Sequence, residues 1–288
     1  VRRAILDQPP VEIVIPFRDQ PLMLRKCIGT LLENTRYPQY RILGVDNGSV
    51  ETLTHELISQ FESETENVRF VRLDVPFNFS QIVNFGVQNS EGVHLVLMNN
   101  DIEVINSDWL EAMLEHSQRP EVGAVGAKLY YPDDSIQHAG IAIGIGDYAG
   151  HPHKHEDGGD PGYLNRLHNI QNVSAVTGAM MMVKRELYNA VEGFDEDVFK
   201  IACNDVDFCL RLRSQGLLNI FTPYAKAYHH ESVSRGYEDT PEKKARFERE
   251  VEAFRNRHSE VLSQGDPYYN RHFRLDTEEV LARAWSEA

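Results

Sequence analysis

The chain has 288 residues, enough to bury one large hydrophobic core or two modest ones. Hydrophobic residues make up 41% and charged residues 25%, proportions that exclude a disordered or fibrous chain and suit a globular one. The formal net charge of −15 argues against a nucleic-acid partner, because phosphate backbones attract basic surfaces. A protein of this charge needs a local device to bind a phosphorylated ligand, and a divalent cation is the obvious candidate.

Composition also bears on the cellular setting. The three cysteines, Cys27, Cys203 and Cys209, form neither a disulfide framework nor a spaced zinc site, so we expect a reducing, cytoplasmic environment. The longest apolar runs, residues 92–98 and 122–129, are strand-sized, and we predict no transmembrane segment and no signal peptide. Because the chain begins without methionine, we expect an excised segment or a processed product, such as one domain of a longer protein.

The first hundred residues alternate between strand-like and helix-like patterns. Predicted strands cover residues 11–15, 41–45, 68–73 and 94–98. Predicted helices cover residues 24–32, 51–61 and 79–89. This spacing implies βαβ units and a mainly parallel sheet, in which ligands bind at the carboxyl ends of strands. Polar clusters at residues 17–19, 46–47 and 99–101 fall at those ends, which is the first indication of a site.

The remainder of the chain is less regular. Residues 146–162, rich in glycine, histidine and acids, are predicted to form a long exposed loop. Further predictions are a buried strand at 173–183, an amphipathic helix at 204–214, short strands at 217–222 and 225–229, and a charged peripheral helix from residue 242 with Phe247, Val251, Phe254 and Val261 at helical spacing. No internal repeat or strong linker divides the chain.

Asn99, Asn100 and Asp101 follow an apolar strand directly. A carboxylate at this position stands at the carboxyl edge of the sheet, where a hard cation could bridge it to a diphosphate. Because any turn favours asparagine and aspartate, a plain turn is the alternative interpretation.

Acidic residues are concentrated at positions 195–197 and 204–207, just before a predicted helix. A single acid at a helix start needs no function, since it caps free N–H groups and suits the helix dipole. Two acids on successive turns of chain beside a predicted site favour a general base.

Several histidines are candidate ligands. His229 and His230 end a short predicted strand, and only one of two adjacent strand residues can face a site. His151, His153 and His155 alternate within a glycine-rich loop, where solvent exposure is favoured over zinc binding. His138 is uninformative alone.

Other enzyme classes lack their signatures. The sequence contains no G-x-G-x-x-G after the first strand and no G-x-x-x-x-G-K-[ST], which disfavours dehydrogenases and P-loop proteins. No G-x-S-x-G elbow supplies a serine nucleophile.

Taken in order, the motifs resemble glycosyltransferase family 2, the inverting transferases with the GT-A fold. The matching segments are IVIPFRD at 13–19, VDNGS at 45–49, NFS at 78–80, NFG at 84–86, LMNNDIEV at 97–104, VTGA at 176–179, GFDE at 193–196, NDVDFCLR at 204–211 and HHES at 229–232. The resemblance spans roughly residues 11–236. With SRGY at 234–237 and the charged helix behind it, the sequence is similar to bacterial O-antigen and other surface-polysaccharide enzymes.

The resemblance implies an α/β fold of the GT-A type, with a Rossmann-like, mainly parallel central sheet flanked by helices. The implied catalytic domain covers residues 1–238, with a nucleotide-binding half at about 11–104 and an acceptor half at about 105–238. Residues 239–288 are expected to form a C-terminal helical extension.

The resemblance also implies roles for individual residues. Implied donor-binding residues are Pro16, Phe17, Arg18, Asp46, Asn84, Asn99, Asn100 and Asp101. Asp101 matches the last acid of the family's D-x-D and would contact the metal with His229, or alternatively His230. Asp205 would be the catalytic base. Implied acceptor-side residues are Thr177, Gly178, Asn204 and Asp207. Asn99 and Asn204 depart from the family, which has acids there.

The implied reaction moves a hexosyl or rhamnosyl group from a nucleoside-diphosphate-sugar to a hydroxyl of a glycan or lipid-linked saccharide. Manganese or magnesium would offset the diphosphate charge, and Asp205 would accept the hydroxyl proton. The loop at 146–162 is expected to close over a substrate as a lid. A lipid-linked acceptor would place the enzyme at the inner face of the cytoplasmic membrane as a peripheral protein, in bacterial surface-polysaccharide synthesis.

Two other functions stay open. A sugar nucleotidyltransferase shares the alternating sheet and the metal, but its glycine-rich basic loop after the first strand is missing. A transferase-like module that only binds a glycan or nucleotide is kept open by Asn99 and Asn204.

Overall fold

The computed structural model of the chain describes residues 2–230 and 240–283. The segments at 231–232 and 234–237 that contributed to the resemblance lie outside the described residues. The helices are α1 Pro21–Asn34, α2 Thr52–Glu64, α3 Phe79–Gln88, α4 Trp109–Ser117, α5 Arg185–Ala190, α6 Asn204–Ser214, α7 Pro241–Arg257 and α8 Ser259–Gln264. The strands are β1 Val11–Phe17, β2 Tyr40–Asp46, β3 Val68–Arg72, β4 His94–Met98, β5 Ile102–Val104, β6 Val122–Tyr130, β7 Ile136–His138, β8 Ala142–Ile143, β9 Ala149–Gly150, β10 Gln171–Val173, β11 Met180–Lys184 and β12 Leu218–His229.

A central sheet runs in the order β10-β12-β6-β11-β4-β1-β2-β3. Strands β1 to β3 pair in parallel, as do β1 with β4 and β6 with β12, whereas β11 is antiparallel to both of its neighbours. The predicted α/β class with a mainly parallel sheet is confirmed.

Helices cover both faces of this sheet. One core cluster contains side chains of α1, α2 and α4, and a second contains side chains of α3, α5, α6 and α7. Strand β1 therefore sends Ile13 and Ile15 into the first cluster and Val14 into the second. Burial on both faces explains why the central strands are continuous apolar runs rather than alternating ones.

Two strand predictions need correction. Residues 173–183 are not one strand, because the chain leaves the sheet after β10 and returns only at β11. The excursion carries Thr177 and Gly178 to a cavity, which an apolar pattern alone does not reveal. Residues 217–222 and 225–229 are instead one strand, β12, interrupted by a register shift between Thr222 and Lys226.

The loop predicted at 146–162 is exposed only in part. It contains strand β9, which pairs with β8, and the side chain of His153 is buried. Its first half is held by the C-terminal segment, since the Gly146 N–H donates to the Leu275 carbonyl at 2.7 Å and the His153 N–H donates to the Glu278 carbonyl at 2.9 Å. Backbone pairing with a remote segment leaves no local sequence pattern.

The C-terminal region also differs from the predicted peripheral helix. Val251 and Phe254 of α7 are buried in the second core cluster, and Phe254 packs against Phe199 with ring centroids 6.4 Å apart. The Glu250 carboxylate accepts a hydrogen bond from the Ala202 N–H. The helical part ends at Gln264 before Gly265, whose φ of +78° favours glycine, and residues 266–283 are not helical. No helix among the described residues is long and apolar enough to cross a membrane.

Replacing Phe254 tests whether α7 belongs to the core. We expect Phe254→Ala to lower the free energy of unfolding by about 3–5 kcal/mol, because a fully buried ring is removed and leaves a cavity. Urea denaturation measures this loss. Leu53→Ala, at a helical position that is 64% exposed, is the control and should cost far less. A Phe254 variant as stable as the control would contradict the packing.

Candidate active site

A cavity of about 750 Å³ opens at the carboxyl edge of the sheet. Residues at the carboxyl ends of β1, β2 and β4 line it, including Phe17, Asn47 and Asn99. The C-terminal end of β12 contributes His229, and the first turn of α6 contributes Asp205. The structure therefore brings together the polar clusters that the sequence placed at strand ends, as expected for a parallel sheet.

The β1 and β2 ends form one part of the cavity, with Pro16, Phe17, Arg18 and Asn47 in its lining. Asn47, which belongs to the predicted polar cluster at 46–47 but was assigned no role of its own, is buried. Its amide nitrogen donates to the carbonyls of Leu73 and Val75, whereas its Oδ1 has no hydrogen-bond donor. This leaves a buried acceptor at the cavity wall.

Asp46 does not line the cavity itself. Its carboxylate is buried behind Asn47, where it accepts hydrogen bonds from Arg72 at 2.6 Å and from the Ser49 N–H at 2.7 Å. The geometry gives Asp46 a supporting position, and its role in donor binding, which the resemblance implies through a contact with the nucleotide base, stays a prediction.

The β1–α1 connection is held in an unusual backbone conformation. Asp19 and Gln20 have φ values of 52° and 57°, which L-residues rarely adopt. Asp19 Oδ1 accepts the N–H groups of Val50 and Glu51, each at 2.8 Å, and so ties this connection to the start of α2. Such strain is retained where surrounding contacts fix it, often beside functional sites.

The pairing of β5 with β12 places Asp101 beside His229. In this antiparallel pair His229 stands opposite Ile102, and Asp101 precedes Ile102 directly. His229 Nε2 lies 3.2 Å from Asp101 Oδ1 and 3.3 Å from Asn99 Nδ2. Both Asp101 and His229 are buried.

Gln137 sets the orientation of the His229 ring. Its Nε2 lies 2.6 Å and its Oε1 lies 2.9 Å from His229 Nδ1, so the Gln137 amide holds the ring at this edge. When Nδ1 carries the ring hydrogen, a neutral imidazole leaves the Nε2 lone pair for a cation beside Asp101. Sequence reasoning missed Gln137, because β7 is only three residues long and carries no pattern of its own.

The donor atoms here fit a hard or borderline divalent cation. Asp101 Oδ1 and Asn99 Oδ1 are buried without a hydrogen-bond donor, and His229 Nε2 lies 3.2 Å from Asp101 Oδ1. A carboxylate oxygen and an imidazole nitrogen at this separation can both bind one divalent cation. Within residues 2–230 and 240–283, no group of three His, Cys, Asp or Glu side chains forms a complete metal cage. A bound cation would therefore keep positions for ligand and water oxygens.

His230 takes a different direction from His229. Its N–H donates to the Asp101 carbonyl at 3.0 Å, and its side chain pairs with Glu103. Adjacent residues of a strand face opposite sides, so only His229 reaches the cavity.

Asp205 stands in the first turn of α6, at the cavity. Its Oδ2 accepts the Gly178 N–H at 2.8 Å, and its Oδ1 accepts the Val206 N–H at 2.8 Å. Asn204 is buried and supports this turn, since its Oδ1 accepts the Asp205 N–H at 2.7 Å and its Nδ2 donates to Ser80 Oγ at 3.1 Å. The backbone donors fix the carboxylate in place.

Besides Asp46, two other predicted site residues lie outside the cavity lining, and their roles in substrate binding stay predictions. Asn84 is half-buried, donates to the Phe194 carbonyl and accepts from the Tyr188 hydroxyl. Asp207 is fully buried and accepts hydrogen bonds from Arg211, Arg257 and His258, which join α6 to α7. Burial alone would raise the pKa of Asp207, but these donors hold the pKa below its ordinary value.

Residues outside the predicted set complete the cavity. Tyr148, His151, Lys154, Phe247 and Glu278 line it, and they come from the loop around β9, from α7 and from the C-terminal segment. Their contacts join segments that are distant in sequence, so no local motif indicates them.

Comparison with known proteins assigns the fold and the family. The sequence model described as Glycosyl transferase family 2 matches residues 12–191. The chain belongs to glycosyltransferase family 2. The predicted family is thereby confirmed.

Family members similar to this chain are mostly longer. The chain is 46% identical over 273 residues to the uncharacterized protein y4gI of Sinorhizobium fredii, covering 95% of this chain and 30% of that protein. It is 37% identical over 278 residues to the O-antigen biosynthesis protein RfbC of Myxococcus xanthus, covering 96% of this chain and 21% of RfbC. A match of 25% identity over 232 residues, 74% of this chain and 73% of the relative, links it to the N-acetylglucosaminyl-diphospho-decaprenol L-rhamnosyltransferase of Mycobacterium tuberculosis. The chain thus spans less than a third of y4gI or RfbC.

Two solved structures share the fold of this chain. The mannosyltransferase PcManGT from Pyrobaculum calidifontis, in complex with GDP-Man and Mn2+, superposes with a TM-score of 0.61 at 17% identity over 85% of this chain and 63% of that one. GalNAc-T7 with UDP, GalNAc and Mn2+ superposes with a TM-score of 0.67 at 15% identity over 81% of this chain and 45% of that one. The predicted GT-A fold is confirmed.

A pH titration tests the burial of His138, which is fully buried beside the cavity. Burial, and then the nearby His151 and His229, lower the pKa of His138 well below its ordinary value. Below about pH 6.5 His138 binds a proton in the unfolded chain but stays neutral in the folded protein. The free energy of unfolding therefore falls as the pH falls.

Between pH 6.5 and 5.5, we expect the free energy of unfolding of the His138→Gln variant to fall by about 1 kcal/mol less than that of the wild type. Urea denaturation of both proteins at the two pH values measures the difference. His94 and His116, whose pKa values burial lowers to about 4, remain in the variant and keep part of the slope. Identical slopes for the two proteins would show that His138 does not contribute.

Proposed function

We propose that this domain transfers a sugar from a nucleoside-diphosphate-sugar to a hydroxyl group of a saccharide, with inversion at the anomeric carbon. The observation that carries the proposal is one cavity that contains both the Asp101–His229 pair and the Asp205 carboxylate. A cation site beside a positioned base is what direct displacement of a diphosphate requires. Membership of glycosyltransferase family 2 supports the same reaction.

The donor nucleoside is assigned to the part of the cavity at the ends of β1 and β2. Phe17 supplies an apolar surface there, Arg18 supplies a positive charge, and Asn47 Oδ1 offers a buried acceptor for an N–H group of a base. From this position the diphosphate extends toward Asn99 and Asp101. The PcManGT complex with GDP-Man and the GalNAc-T7 complex with UDP support this donor class.

Asp101 and His229 are the residues that would hold manganese or magnesium. When bound, the cation neutralises the diphosphate charge and stabilises the nucleoside diphosphate as it leaves. Gln137 holds the His229 ring through its Nδ1 edge and leaves Nε2 toward this site, and Asn99 Oδ1 adds a neutral oxygen where the family has an acid. The Mn2+ of both solved neighbours supports a divalent cation.

Asp205 accepts the proton of the acceptor hydroxyl. As the hydroxyl oxygen bonds to the anomeric carbon, its proton passes to the Asp205 carboxylate and the bond to the diphosphate breaks on the opposite face. One displacement inverts the configuration. Because the Gly178 and Val206 N–H groups fix both carboxylate oxygens, Asp205 contributes chiefly through its position.

The biological setting proposed is bacterial surface-polysaccharide synthesis, with a glycan or lipid-linked acceptor. It rests on the similarity to RfbC and to the mycobacterial rhamnosyltransferase. Peripheral association with a membrane and a lid function of residues 146–162 stay predictions, as do the limits of a catalytic domain at 1–238 and an extension at 239–288.

Replacing Asp101 tests the cation site. Wild-type protein should show a higher melting temperature with manganese plus UDP, GDP or dTDP than with the nucleotide alone, because ligands stabilise the folded state. We expect Asp101→Ala to abolish the manganese-dependent part of the shift. Asp197→Ala, at an exposed carboxylate outside the cavity, is the matched control and should behave like wild type. An undiminished shift in Asp101→Ala would place the cation elsewhere.

Replacing Asp205 tests the base. We expect Asp205→Asn to lower the rate of nucleoside diphosphate release from the bound sugar donor by about 10²–10⁴-fold, while manganese-dependent nucleotide binding persists. Coupled detection of the released diphosphate measures the rate. Equal rates in wild type and variant would exclude Asp205 as the base. Binding without turnover in the wild type would instead indicate a non-catalytic module.

A further inference from the structure

One part of the cavity lining has no role in the proposed displacement. Tyr148, His151, Lys154, Phe247 and Glu278 form this part, which we call the outer wall. Its residues come from the loop around β9, from α7 and from the C-terminal segment. Two of them, Phe247 and Glu278, lie beyond the region at 12–191 that matches the family.

Behind the outer wall, His138 has hydrogen-bond partners that define its tautomer. Its Nε2 accepts the Gly140 N–H at 3.3 Å and lies 3.5 Å from the Thr177 N–H, which also points at it. An imidazole nitrogen that accepts backbone hydrogens carries no hydrogen of its own. The neutral His138 ring therefore carries its hydrogen on Nδ1.

This tautomer determines that of His151. The Nδ1 atoms of the two rings are 3.0 Å apart, so His138 donates and His151 Nδ1 accepts. The hydrogen of His151 then lies on Nε2. The backbone of His151 is fixed as well, because its N–H donates to Glu278 Oε1 at 2.8 Å. The result is an oriented, neutral N–H donor in the cavity lining.

The other groups of the outer wall indicate which kind of ligand the His151 N–H group can bind. Glu278 supplies a carboxylate, with Lys154 Nζ 3.8 Å from its Oε2. The rings of Tyr148 and Phe247 meet edge to face with centroids 6.1 Å apart. The carboxylate disfavours a second anionic group at this wall, whereas a sugar ring can donate hydroxyl hydrogens, accept from an N–H and pack on aromatic rings.

We propose that His151 is a hydrogen-bond donor to a hydroxyl of the acceptor saccharide, and that His138 is the positioning residue that fixes its tautomer. The proposal rests on the proposed transferase function and names the acceptor side of the same site. The backbone at Thr177 connects His138 with the proposed base, because the Thr177 N–H faces His138 and the N–H of the next residue, Gly178, donates to Asp205.

Histidine NMR tests the tautomers without any acceptor. Long-range ¹H–¹⁵N spectra of ¹⁵N-histidine-labelled protein at pH 7.5, assigned with His138 and His151 variants, should show His138 protonated on Nδ1 and His151 on Nε2. We expect His138→Leu to abolish the single tautomer of His151, and His138→Gln, whose amide can accept and donate, to restore it. A His151 imidazolium, or an Nδ1 tautomer in the wild type, overturns the proposal.

Acceptor kinetics test the role in binding. The probes are octyl glycosides of glucose, galactose, mannose, rhamnose and N-acetylglucosamine, offered with manganese and the sugar donor that the protein turns over. For the glycoside that accelerates diphosphate release, we expect His151→Ala to raise the acceptor KM about five- to tenfold, the size of one lost hydrogen bond. The dissociation constant of manganese with the nucleoside diphosphate should not change.

The positioning role predicts a graded series. His138→Leu should raise the acceptor KM, and His138→Gln should keep it close to the wild-type value. His55→Ala, at an exposed histidine of α2, is the matched control and should change neither constant. Melting temperatures confirm that each variant is folded, and His151→Asn replaces His151→Ala if the latter is not.

The outcomes separate this proposal from the proposed function. If Asp101→Ala and Asp205→Asn lose turnover while His151→Ala keeps the acceptor KM within twofold, only the outer-wall proposal fails. The outer-wall proposal alone also fails if His151→Ala changes the dissociation constant of the nucleotide instead of the acceptor KM. It fails likewise if the enzyme is active but no glycoside accelerates diphosphate release. If Asp101→Ala and Asp205→Asn retain full turnover, the proposed function itself fails.

Discussion

The pairing of the short strand β5 with the end of β12 is the constraint on which the site depends. It sets His229 opposite Ile102 and so places the imidazole Nε2 3.2 Å from a buried carboxylate oxygen. In the proposed function, these two atoms bind one divalent cation. The pairing of β5 with β12 also determines which of two adjacent histidines faces the cavity. Because side chains alternate along a strand, His230 points toward Glu103 and away from the cavity.

The proposed function divides three tasks among different structural elements around this contact. The carboxyl ends of β1 and β2 would bind the donor, β4, β7 and β12 would hold the cation, and the start of α6 positions Asp205. For a chain of net charge −15, a cation at this point would let an anionic donor approach a carboxylate-rich cavity. The C-terminal segment is part of the same unit, because it holds His151 and closes the outer wall.

The sequence predicted much of this organisation, for physical reasons that can be named. Strands β1 and β4 are buried on both faces and so carry continuous apolar runs, while α6 starts with dipole-favoured acids and keeps regular apolar spacing. Helix geometry explains why Asp207 lies outside the cavity that contains Asp205, because residues two apart on an α-helix are separated by about 200°.

Long-range pairing accounts for what the sequence did not predict. Strands β5, β7, β8 and β9 are two or three residues long and have no periodicity to detect. The many charged residues of α7 made the burial of Phe254 hard to predict. Two of these charged residues, Glu250 and Arg257, turn inward or toward α6, as does the adjoining His258. Contacts such as Gln137 with His229 and His138 with His151 join residues that no local motif connects.

Anomalous diffraction from crystals grown with manganese and a nucleoside diphosphate tests the central claim most directly. We predict one manganese peak within bonding distance of both an Asp101 carboxylate oxygen and His229 Nε2, with diphosphate oxygens on the same ion and the Asp205 carboxylate in the same cavity. A peak held by other side chains, or a nucleotide bound away from Asp101, would contradict the account.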